Sequence, residues 1–119
     1  MRRIIGFICI TAALAGPATA QGTLDCRVTQ KLSCAAGEGC TPVAATTWNV
    51  VDLARQTYAR CDKKGCDSYP ASLTRSGVFT VIDVPGRGMT AKIANSGGFL
   101  EVATIGIVAL VSHGTCRER

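Results

Sequence analysis

Cys26, Cys34, Cys40, Cys61, Cys66 and Cys116 constrain this chain more than any other feature, because they follow what reads as an export leader. The chain opens with Met1-Arg2-Arg3, continues as an apolar run over residues 4–14 and reaches Ala18-Thr19-Ala20. A basic start, a short hydrophobic stretch and an A-x-A cleavage signal make up a secretory signal peptide, expected here over residues 1–20. A spanning helix needs about 20 apolar residues, roughly twice this run, so no transmembrane anchor is expected. Cys9 sits between Ile8 and Ile10, without the small residue that precedes a lipid-modified cysteine, and is expected to leave with the leader. Residues 21–119 then form a single domain with an even cysteine count, bound for the periplasm or the exterior.

Cysteines in an oxidising compartment pair, and six in a short exported domain read as a three-disulfide framework. Local spacing selects among the pairings. Cys34-Ala-Ala-Gly-Glu-Gly-Cys40 holds two glycines that let the chain fold back, and Cys61-Asp-Lys-Lys-Gly-Cys66 ends its turn in Gly65. Cys26 and Cys116 remain, joining the first strand to the last. On chain entropy each short ring contributes about 2 kcal/mol and the long closure about 4–5. Metal binding is the rival use of cysteine, but zinc favours C-x₂₋₄-C pairs or matched histidines, and His113 is the only histidine. No metal or cofactor is expected.

The apolar pattern has period two, so the expected fold is all-β, an antiparallel meander of six to eight strands closing into a barrel or sandwich. Residues 23–30 read as the first strand and the segment around Cys34 and Cys40 as a stapled loop, which Pro42 keeps from being a central strand. Residues 46–61 read as a long strand or two strands broken near Ala54-Arg55-Gln56, with a short helix there as the alternative. Residues 67–76, with Tyr69-Pro70, read as a loop. Strands follow over residues 78–84, 89–95, 99–104 and 107–112, separated by turns at 85–88, 96–98 and Gly106. In the 89–95 strand Met89, Ala91 and Ile93 face one way. Residues 105–111 are apolar on both faces apart from Gly106, which fits a central strand covered on both sides or a face that docks a second copy.

Function classes narrow by what the residues lack. The only histidine follows Ser112 directly, so on a strand the two side chains point to opposite faces, and no nucleophile elbow marks another serine. Asp62 and Asp67 sit among Arg60, Lys63 and Lys64, surroundings that lower a carboxyl pKa where a general acid needs it raised. No catalytic residue is assigned and an enzyme is not expected, with a small hydrolase as the least favoured alternative. Beyond the leader the chain carries eleven basic and eight acidic residues, too dispersed and too poor in aromatics for a nucleic-acid binder.

The leader, early Cys26, Ser76-Gly77 before a strand and closing Gly114-Thr115-Cys116 resemble small periplasmic proteins of Gram-negative bacteria. In layout they are similar to the C-type lysozyme inhibitors, small antiparallel barrels whose first and last strands share a disulfide. The resemblance implies a contact role for Ser76 and Gly77, with Val78-Phe79 standing where that family carries a tyrosine. The expected function is an exported, non-enzymatic binding or envelope-interaction protein, with inhibition of a secreted hydrolase as one version. The alternative is a structural or stress-protective protein without a defined ligand. The expected partner is a protein or an anionic envelope component. The expected contact residues are Arg60, Lys63, Lys64 and Ser76.

Overall fold

A computed structural model describes residues 22–119; the expected leader and Cys9 lie outside the described residues. The described residues form ten antiparallel strands and no helix. They are β1 (Thr23–Ala35), β2 (Gly39–Val43), β3 (Trp48–Asp52), β4 (Thr57–Asp62) and β5 (Gly65–Pro70), then β6 (Ser72–Ser76), β7 (Phe79–Val84), β8 (Met89–Ala94), β9 (Gly98–Ile105) and β10 (Val108–Glu118). Their order in the sheet is β5-β4-β3-β1-β10-β9-β8-β7-β6, with β2 beside the far half of β1. The two edges of this order, β5 and β6, follow one another through the single residue Ala71. One path thus borders β4 with its first half and β7 with its second, and the sheet rolls into a nearly closed barrel.

The three disulfides are Cys26–Cys116, Cys34–Cys40 and Cys61–Cys66. Each joins residues directly opposite one another in the sheet. Their Cα atoms are 3.9–4.0 Å apart, the close spacing of non-hydrogen-bonded pairs rather than the wide one. The long bridge lies inside the barrel, where Cys26 is fully buried beside Val51 and Tyr58.

The meander from β7 to β10 follows the alternation expected of it. On β8, Met89, Ala91 and Ile93 are buried while Thr90 and Lys92 face outward. The break at residues 53–56 is a turn between β3 and β4. Three stretches differ from expectation. Residues 67–76 are not a loop but most of β5 and all of β6. Pro70 is tolerated there because it shares the parity of Cys66, so its missing N–H would point away from β4. The segment around Cys34 and Cys40 is a hairpin rather than a loop, since β1 runs on to Ala35 and pairs with β2. Residues 105–111 are central only in part: Ile105 and Ile107 form an exposed hairpin tip at 62% and 85% exposure, while Val108–Val111 open β10, which lies between β1 and β9 but is only half-buried there.

A bulge between Val28 and Gln30 resets the first strand. Cys26 and Val28 face inward, and strict alternation would send Leu32 inward too. The extra residue reverses the parity, so Lys31 is buried and Leu32 lies on the outer face with Val111 and Val102. Gly114 makes room for the bulge, because a Cβ there would overlap the Arg27 carbonyl oxygen and lie 3.0 Å from Val28 Cα.

Strand directions give the barrel two ends. The turns at 36–38, 63–64, 85–88 and 106–107 lie at one, called the upper end; those at 53–56, 77–78 and 95–97 lie at the lower end. Both termini of the described chain are at the lower end, where the Arg119 N–H donates to the Thr23 carbonyl at 2.9 Å.

Candidate functional site

Lys63 and Lys64 form the two-residue tip of the β4–β5 hairpin and are both exposed. The tip is built by its neighbours in sequence. Gly65 adopts φ 143°, which a side chain would resist, and the Asp62 carboxylate accepts the Lys64 backbone N–H at 2.8 Å. Below the tip the Cys61–Cys66 bridge locks the two strands together. Neither lysine belongs to an ion pair; the pairs among the described residues are Arg55–Asp52 and Arg119–Asp25. Surface depressions flank the tip, one lined by Thr46, Asp62, Lys63 and Lys64 and another by Asp62, Lys64, Gly65, Cys66 and Asp67.

The other two expected contact residues are elsewhere. Arg60 is only partly exposed and lies opposite Asn49 on β3 and Asp67 on β5, on the inward side of the wall. Ser76 is exposed at the β6–β7 turn, at the lower end and therefore far from Lys63 and Lys64. Gly77 turns there with φ 58°, and Val78 and Phe79 beside it are 57% and 41% exposed.

A polar cluster that went unassigned in the sequence sits inside the barrel. Glu101 is 2% exposed, and its carboxylate accepts hydrogen bonds from the Tyr58 hydroxyl and from Asn49 Nδ2, the latter at 3.1 Å. Lys31 and Ser112 are buried beside it, opposite one another across β1 and β10, with Ser112 also opposite Glu101. Burial raises the Tyr58 pKa, and the Glu101 charge and hydrogen bond push it further, so the phenol stays a proton donor. Burial lowers the Lys31 pKa and the nearby Arg60 adds to that, against the opposing pull of Glu101. Every buried side-chain polar atom among the described residues has a partner. Glu101 thus ties Tyr58 on β4 and Asn49 on β3 to β9 across the inside of the barrel. One signal was available: Glu101 shares the parity of Phe99 and Ala103, so a charge stands on an otherwise apolar face.

The upper end also carries apolar groups. Ile105 and Ile107 protrude, and below them the 85–88 turn is tied to β9 by the Thr104 N–H, which donates to Gly88 O at 2.9 Å. Arg87 stacks over Tyr69 at 4.8 Å and bridges the seam between β5 and β7. The edge of β2 is exposed throughout, but Pro42 removes an outward donor there and discourages pairing with another strand. All six described cysteines are in disulfides, as in proteins of oxidising compartments. Among the described residues no helix is long and apolar enough to cross a membrane. No protein-family model, curated protein or solved structure matches the chain.

Proposed function

We propose that this protein is an exported, non-enzymatic binding module that engages an anionic envelope component or acidic protein through its upper end. The observation that carries this reading is the stapled tip, which holds two exposed lysines outside any ion pair on a hairpin that cannot fray. A rigid loop loses little conformational entropy on binding, so its charges convert into affinity more fully than those of a mobile one. Ile105 and Ile107, at the same end, would add apolar contact once the charges have docked.

Titration with anionic vesicles, lipopolysaccharide and an acidic polysaccharide tests the reading. Near an anionic surface each lysine is worth about 1 kcal/mol, so Lys63→Ala with Lys64→Ala is expected to weaken binding about tenfold or more. Binding should also fall steeply with salt. Equal binding by the wild type and the double variant would end the proposal.

A second reading, inhibition of a secreted hydrolase, draws on the lower end. The Ser76-Gly77 turn projects with Val78 and Phe79 exposed beside it, and this is the segment for which the resemblance to lysozyme inhibitors implies contact. A lysozyme activity assay with and without the protein decides it: inhibition lost in Ser76→Trp supports the reading, and undiminished lysozyme activity removes it.

A further inference from the structure

The lower mouth of the barrel holds a cavity of about 380 Å³, within the size range of small-molecule sites. Leu24, Leu53 and Ile93 line it with apolar surface, and Arg75, Asn95 and Glu118 supply polar groups. With Thr80 of β7, six separate parts of the chain converge on one concavity.

Arg75 is the organised member. It lies opposite Thr80 across β6 and β7, on the inward parity set by the facing pair Leu73 and Ile82. Its Nη1 donates to Thr80 Oγ1 at 3.3 Å and its Nη2 to Asn95 Oδ1 at 2.5 Å. Asn95 is itself anchored, since its backbone N–H donates to Val78 O at 2.9 Å. A guanidinium has five N–H donors, and these two bonds leave three of them free in a fixed plane. No carboxylate pairs with Arg75; Glu118 lines the same cavity, yet the two form no ion pair. A positive fork and a separate negative group therefore stand around an apolar floor. The turn beneath is fixed by the backbone, with the Cys116 N–H donating to Gly97 O at 2.7 Å.

We propose that the lower mouth binds a small apolar zwitterion, such as an apolar amino acid or short peptide. Its carboxylate lies on Arg75, its ammonium faces Glu118, and its side chains cover Leu24, Leu53 and Ile93. A bidentate Arg–carboxylate contact supplies orientation as well as affinity, and the apolar floor excludes polar solutes of the same charge. The site is at the opposite end from Lys63 and Lys64 and does not depend on what binds there.

The test is a titration of the ¹⁵N-labelled protein with the dipeptide Leu-Leu, its N-acetyl form and its C-terminal amide, followed by amide shifts. Saturable shifts at Leu24, Leu53, Arg75, Ile93 and Asn95 are expected with Leu-Leu, and binding about tenfold weaker for the amide. Arg75→Gln should abolish the preference for acid over amide while leaving shifts of the upper end unchanged. Glu118→Gln should abolish the preference for the free over the acetylated amine. Absence of shifts, or equal binding of acid and amide by the wild type, overturns the site. Equal binding of the free and acetylated forms overturns the zwitterion assignment.

Discussion

The Cys26–Cys116 seam and the Cys61–Cys66 hairpin use the same covalent bond in opposite ways. The seam joins strands whose cysteines are 90 residues apart in the chain and buries its sulfurs in the core. It is the place where β1 and β10 must find each other across nearly the whole domain. The hairpin bridge spans five residues, and its strands are already brought together by a two-residue turn. The first bond decides whether the barrel exists. The second decides how rigidly two lysines are presented.

That contrast breaks most visibly at the seam. Replacing Cys26 and Cys116 together by Ala is expected to cost about 4–5 kcal/mol, which for a domain of this size lowers Tm by about 20 °C or more. A loss as small as that from the Cys61–Cys66 pair, about 2 kcal/mol, would show that the long closure is not what holds the fold. Calorimetry of the two double variants side by side makes the comparison. Gly114→Ala attacks the same seam without touching sulfur. The added methyl meets the Arg27 carbonyl at the bulge, and a loss of about 3 kcal/mol is expected in urea unfolding.

The buried cluster sharpens the contrast from inside the barrel. Glu101→Ala leaves the Tyr58 hydroxyl and the Asn49 amide without their acceptor, an expected loss of about 2–3 kcal/mol. Tyr58→Phe tests the cluster by pH instead. The folded-state pKa of Tyr58 is raised above the ordinary value of 10.0. Above that pH the unfolded chain has released this proton while the folded one keeps it, so stability falls as pH rises. Tyr58→Phe should be less stable at neutral pH, yet lose less than the wild type between pH 9 and 11 in denaturant titrations. Parallel curves would place the alkaline sensitivity elsewhere.

Much of this architecture was readable from residues 21–119, and the exceptions share a cause. The disulfide pairing followed from loop length and glycine placement, and the β7–β10 meander followed from alternation. Residues 67–76 misled because Tyr69-Pro70 looks like a turn, whereas Pro70 occupies a position whose N–H is not needed by β4. Lys31 and Leu32 exchanged faces because of a bulge that no local motif marks, visible only through Gly114 on another strand. Arg60 was grouped with Lys63 and Lys64 by proximity in sequence, yet period-two alternation turns it toward the barrel interior. The lower mouth was invisible for the same kind of reason: Leu24, Arg75, Ile93 and Glu118 come together only when the barrel closes.

The smallest expected stability change is also the most informative. Lys63→Ala with Lys64→Ala should alter unfolding by no more than about 0.5 kcal/mol, because the lysines lie at an exposed tip outside any ion pair. The decisive measurement takes this variant and the Cys61/Cys66 double variant through the same two assays, thermal unfolding and binding to an anionic surface. The account predicts that the lysine variant unfolds like the wild type and binds about tenfold or more weakly, while the disulfide variant weakens in both. A lysine variant that loses stability, or binds as the wild type does, would contradict the division between a scaffold held at the seam and a partner surface held at the tip.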